Sequence, residues 1–162
     1  VPNRIILDLR EVNMAIKYGK QRCDYAKNKA WRRPFDNPNE SREEGDIQGC
    51  GAEIAIAQAY GLEWKPTIGE LPHYDFVLPN GELLQVKRTK YGEGKLLITE
   101  RDLTCHWYVC LRGVIPEFTI AGFIERRRIR PEWWGEKGQG RERSLQACWV
   151  IPNESLVRGW WW

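Results

Sequence analysis

Apolar or small residues at Leu9, Val12, Ile16, Gly19, Cys23, Ala26 and Ala30 recur at alternating intervals of three and four, with the cations mostly off that line. A single stripe of this period predicts a helix from about residue 9 to about residue 30. Pro34 to Glu44, with two prolines and Asn37, Asn39 and Ser41, reads as a loop. A second helix is expected from about Asp46 to Tyr60, with Gly61 as its stop. Tyr74 to Leu78 and Leu83 to Lys87 flank Pro79-Asn80-Gly81 and predict a hairpin. Thr99 is placed to cap a short helix that includes Asp102. Trp107 to Leu111 and Phe118 to Ile124 read as strands joined through Gly113 and Pro116. Gly135 to Gly140 reads as a loop and Cys148 to Ile151 as a late strand. This order of elements predicts an α/β sandwich with a mixed sheet, in one domain.

The second helix is apolar nearly all round. Glu53 has Gly49, Cys50, Ile56 and Ala57 three and four residues away, and the opposite stripe of Ile47, Gly51, Ile54 and Ala55 is apolar as well. Such a helix is buried, and an unpaired buried carboxylate costs several kcal/mol, so Glu53 needs a cation beside it. A metal or a lysine meets that need, and so does an arginine at a partly exposed seam.

The hairpin supplies further polar groups if its register is right. A two-residue loop would set opposed pairs adding to 161 and put Asp75 on the face away from Gln85 and Lys87. Leu78-Pro79-Asn80-Gly81-Glu82 instead has Pro at the second position of a type I turn and Gly where a left-handed bulge residue belongs, which is the three-residue hairpin. Pairs then add to 160, Asp75 lies opposite Gln85, His73 lies opposite Lys87, and Glu53 is expected to pack over this polar surface. Carboxylates, an amide oxygen and a lysine in one place suit metal-assisted phosphodiester hydrolysis: hard oxygens select Mg²⁺ or Mn²⁺, and the lysine orients water or offsets developing charge.

Asp75, the hairpin and Gln85-Val86-Lys87, preceded by Gly51-Ala52-Glu53-Ile54-Ala55 on a helix, resemble the PD-(D/E)XK nuclease superfamily, in particular its small phage and prokaryotic members. The resemblance spans about Asp46 to Ile124, with residues 1–45 as an N-terminal helix and loop and 125–162 as a C-terminal extension. It implies an αβββαβ core with a mixed central sheet flanked by helices. It also implies Glu53 and Asp75 as metal ligands with the Val86 carbonyl, Gln85 in the acid position as a further ligand, and Lys87 as the catalytic lysine. The implied activity is a Mg²⁺- or Mn²⁺-dependent deoxyribonuclease, endonucleolytic, in the cytoplasm of a prokaryotic or phage-infected cell. DNA is the implied partner, a homodimer is a further implication, and no small-molecule cofactor is needed. Tyr74 replaces the motif's proline and Gln85 its acid. The second departure opens an alternative, a catalytically inactive module on the same fold that binds nucleic acid or protein.

Charge refines the picture only through its distribution. The 162 residues carry Lys+Arg 25 against Asp+Glu 22. Arg10 to Arg33 holds eight cations against two acids, Pro34 to Pro72 two against eight, and Arg126 to Arg143 seven against three. Basic flanks around an acidic centre would suit a polyanion-binding surface with a cation site in it, but charge alone favours the reading of ordinary solvated faces. Arg88 and Lys90, just past the lysine, and Arg32 and Arg33 in the first basic flank are the candidate phosphate contacts. Trp160-Trp161-Trp162 offers stacking or packing surface, and Cys105-His106 lacks a third partner for nucleophilic catalysis. No stretch approaches the ~20 apolar residues of a membrane helix, and Val1 to Asp8 lacks the apolar run of a secretory signal. Cys23, Cys50, Cys105, Cys110 and Cys148 form no CxxC pair, so free buried thiols in a reducing compartment are expected.

Overall fold

A computed structural model describes residues 3–29, 40–69, 73–136 and 147–157. Strand β1 (Arg4–Ile6) leads into helix α1 (Leu9–Asn28), and helix α2 spans Arg42–Tyr60. The α1 start is a capping box in which Asp8 accepts from the Glu11 N–H and the Glu11 carboxylate accepts from the Asp8 N–H. Helix α2 begins four residues earlier than the apolar pattern indicates, because the Ser41 hydroxyl accepts from the Glu44 N–H and caps it there. Gly61 ends it, as expected.

The strands that follow are β2 (Phe76–Val77), β3 (Leu83–Thr89), β4 (Leu96–Ile98), β5 (Trp107–Val114), β6 (Glu117–Glu125), β7 (Trp134–Glu136) and β8 (Ala147–Ile151). One five-stranded sheet has the order β1-β6-β5-β3-β2, with β3 parallel to β5 and the other neighbours antiparallel. A three-stranded antiparallel sheet has the order β4-β8-β7. The architecture is mixed α/β, as the sequence indicates. Among the described residues, however, helices do not flank the large sheet on both sides. Both long helices lie on one face, and the connection from β3 to β5 carries β4 and a 3-10 turn, Glu100–Thr104, where an α-helix was expected.

Two cores follow from this layering. Leu84 and Val86 of β3, with Phe76, Val109, Leu111 and Phe118, pack against Ala52, Ile54, Ala55 and Ile56 of α2. On the other face, Tyr108, Cys110 and Ile124 pack against Leu96, Ile98, Cys105 and Ile151. Helix α2 is buried from Cys50 to Ala57 because the sheet covers one side of it and α1 the other. The two helices meet closely: a Cβ on Gly19 would stand 2.3 Å from the Ile47 Cα. Among the described residues no helix is long and apolar enough to cross a membrane, and all five cysteines are free and buried.

Candidate functional site

The hairpin has the expected register. Phe76 pairs with Leu84 and Val77 with Leu83, so pair numbers add to 160. Gly81 adopts φ +83, and its N–H donates to the Leu78 carbonyl at 2.8 Å while the Leu78 N–H donates to the Glu82 carbonyl at 2.8 Å. The turn therefore is the type I form with a left-handed bulge glycine. Because Leu84 and Val86 face the helices, alternation sends Gln85 and Lys87 to the opposite face, toward the second core.

Strand β2 begins only at Phe76, and Asp75 takes over its edge of β3 with both backbone and side chain. The Asp75 N–H donates to the Leu84 carbonyl at 2.9 Å, and the Asp75 Oδ2 accepts from the Val86 N–H at 2.6 Å. The Val86 carbonyl leaves the strand on that same edge. Burial pushes the Asp75 carboxyl up to about 8, with the Glu53 charge adding to the rise; the Val86 N–H, Lys87 and Arg22 act against it. Gln85 stands beside the Cys105 thiol, whose Sγ lies 3.7 Å from the Gln85 Oε1 and donates to the His73 carbonyl at 2.8 Å. Burial pushes that thiol up to about 11, which keeps it protonated at neutral pH as a hydrogen-bond donor. Lys87 donates from Nζ to the Asp102 Oδ1 at 2.7 Å.

Glu53 differs from expectation in its partner. Its carboxylate is not laid over the polar face of the hairpin; it is gripped by Arg22 of α1, at 2.5 Å from Nη1 to Oε1 and 2.9 Å from Nη2 to Oε2. The Trp64 Nε1 donates to Oε2 at 2.9 Å, and the Arg22 Nε donates to the Thr67 carbonyl at 3.0 Å. Of the cations that the sequence leaves open, the structure therefore supplies the arginine. Burial alone would weaken the Arg22 charge, but the hydrogen bonds and charge of Glu53 raise its pKa above the usual arginine value.

The proposed phosphate contacts also change. Arg88, on the helix side of β3, forms a buried ion pair with Glu40 and donates to the Gly113 carbonyl, so it is committed to the fold and not presented to a ligand. Lys90 lies over the Tyr91 ring at 5.5 Å. Arg32, Arg33 and Trp160 to Trp162 lie outside the described residues.

No protein-family model, curated protein or solved structure matches the chain. The site must therefore be read from its own chemistry. Among the described residues no three of His, Cys, Asp and Glu gather as a metal-binding group. Mg²⁺ does not require that, since it commonly takes one or two carboxylates and fills its remaining positions with water and substrate phosphate. Burial and a neighbouring negative charge raise Asp75, the kind of imbalance a nearby cation would relieve. Asp75, the Val86 carbonyl and the Gln85 amide are oxygen donors of the kind a hard cation takes, although the Gln85 oxygen here accepts from the Cys105 thiol. Glu53, with N–H donors on both oxygens, does not fit as a ligand in this arrangement.

Three residues that matter here are not found by motif reasoning. Arg22 is one of eight cations in its segment, and Trp64 stands in a region without periodicity. Asp102 had a local signal in Thr99-Glu100-Arg101-Asp102, the pattern of a reciprocal cap, but nothing in that pattern points to Lys87.

Proposed function

We propose that the protein is a Mg²⁺- or Mn²⁺-dependent nuclease that hydrolyses phosphodiester bonds in DNA, on a core akin to the PD-(D/E)XK nucleases. The observation that carries this reading is the bulged hairpin, in which the Asp75 carboxylate sits on the Val86 N–H at the edge of β3 while alternation turns Gln85 and Lys87 to one sheet face. Asp75 and the Val86 carbonyl would hold the cation, with Gln85 as a neutral third donor. The ion would supply Lewis-acid polarisation of a phosphoryl oxygen and a more acidic bound water. Lys87 presents its ammonium on the same face, where negative charge grows on the phosphoryl oxygens during displacement. Arg22 and Glu53 brace the site from the helix side. Glu53 tunes Asp75 through its charge, and Arg22 partly offsets it.

The test is incubation of linear, circular and branched DNA with Mg²⁺ or Mn²⁺, with a chelator control. The wild type should cut in metal and not in chelator, and Asp75→Asn and Lys87→Met should each abolish cutting while keeping the far-UV spectrum. Unchanged cutting by both variants would overturn the site. A second reading, a nucleic-acid-binding module without catalysis, is favoured by the amide at position 85 and by the closed Arg22–Glu53 pair. Binding of DNA with no cutting of any form would establish it.

A further inference from the structure

We propose that Asp102 is a positioning residue that holds the Lys87 ammonium on the polar face of the sheet; the consequence for cleavage rests on the nuclease reading above. The anchor is set before it meets the lysine. Asp102 Oδ2 accepts from the Thr99 N–H at 2.8 Å and from the Thr99 hydroxyl at 2.9 Å. The Asp102 carbonyl accepts from the buried Tyr108 hydroxyl at 2.8 Å. Thr99, Asp102 and Tyr108 are all buried, so this carboxylate is fixed by the crossover and cannot follow a wandering partner. Its remaining oxygen, Oδ1, takes the Lys87 Nζ at 2.7 Å.

Lys87 itself retains 30% of its side-chain exposure against 11% for Asp102. The pair is therefore asymmetric: a rigid, enclosed anion and a cation still open to the site. A lysine has four freely rotating side-chain bonds, and on a half-exposed strand face its ammonium would sample solvent. Tied to Asp102, it stays on the face that also carries Gln85, close enough to lower the Asp75 pKa. The 3-10 turn between β3 and β5 thereby becomes part of the site, although it carries no residue of the hairpin motif.

Asp102→Asn separates this role from a merely structural one. The amide can keep its oxygen toward Thr99 and turn its NH₂ toward Lys87, which removes the ammonium's acceptor and leaves the cap. Thr99→Ala does the reverse, deleting one cap donor and leaving the carboxylate facing Lys87. Two readouts on the full chain are needed: acetylation of Lys87 by limiting acetic anhydride, followed by peptide mass spectrometry, and steady-state cleavage of linear DNA in Mg²⁺. In Asp102→Asn the released amine should acetylate several times faster than in wild type. kcat should fall by roughly 10- to 100-fold with little change in KM, the scale expected when a catalytic group is displaced by about an ångström. Thr99→Ala should lower Tm and move neither readout. Asp102→Glu keeps the charge and shifts it by one methylene, and should give smaller effects of the same sign.

Wild-type acetylation of Lys87 in both Asp102 variants would overturn the placement, whatever the cleavage result. Faster acetylation with unchanged kcat in an active enzyme would overturn the catalytic consequence. Faster acetylation in a protein whose wild type cuts no DNA would support the placement and refute the nuclease reading.

Discussion

The Arg22–Glu53 pair permits a sharp energetic test. Replacing Arg22 by Met leaves the Glu53 carboxylate, 7% exposed, with the Trp64 N–H as its remaining described donor. Removing one partner of a buried ion pair costs about 3–5 kcal/mol, because the survivor is a charge without compensation. For a chain of this length each kcal/mol moves Tm by about 2–4 °C, so a fall of about 10 °C is expected. Glu53→Gln should cost less than Arg22→Met, since the amide still accepts from Trp64 and Arg22 keeps its bond to the Thr67 carbonyl. The double variant Arg22→Met/Glu53→Gln buries no charge at this seam and should be more stable than Arg22→Met alone. Urea unfolding followed by tryptophan fluorescence and by far-UV circular dichroism gives all four corners of the cycle. A cost below about 1 kcal/mol for Arg22→Met, or a double variant whose loss is the sum of the single losses within about 0.5 kcal/mol, would refute the coupling.

The raised Asp75 carboxyl sets a pH dependence. A carboxyl at about 8 when folded and 3.8 in its ordinary state binds its proton more tightly in the native protein. Its contribution to stability is therefore present at low pH and lost as pH rises from about 4 through about 8. Asp75→Asn should flatten that part of the stability profile in chelator, and an identical slope in wild type and variant would contradict the assignment. Gln85→Glu adds a charge beside Asp75, so calorimetric titration should show tighter Mg²⁺ and Mn²⁺ binding; weaker binding would mean the amide serves as a hydrogen-bonding group and not a ligand. Gly19→Ala forces a methyl against the backbone of Ile47 and should destabilise by at least about 1–3 kcal/mol in chemical denaturation, with a neutral result contradicting the close helix contact.

What the sequence discloses here follows how local each cause is. The hairpin register is legible because Pro79, Asn80 and Gly81 encode the turn within five residues, and the turn sets the pairing of Phe76 with Leu84 and Val77 with Leu83. Helix α2 is legible as buried because its apolar positions run all round it. Its true start was hidden in a segment rich in Pro and Asn, where Ser41 looks like loop and acts as a cap. Strand β4 escapes notice because three residues have no pattern of their own and their partner β8 lies some fifty residues on. The partner of Glu53 was deducible as a cation and not as Arg22, since 31 residues separate them and other cations share the segment. Asp102 shows the same limit: its cap is local, whereas its bond to Lys87 exists only once the crossover has folded back.

Strand β2 is two residues long, so among the described residues β3 runs on past its neighbour, and the backbone groups of such an edge are open to another chain's strand. Asp75 blocks the first of these positions by placing its own carboxylate on the Val86 N–H. The other margin of the sheet is closed in a comparable way, where Phe123 and Val157 exchange N–H to carbonyl bonds beyond the end of β1. The carboxylate of the proposed site is thus also the cap of a strand edge. Removal of its side chain would uncover a free β-strand margin, whereas an asparagine there would keep an oxygen in place to cover it.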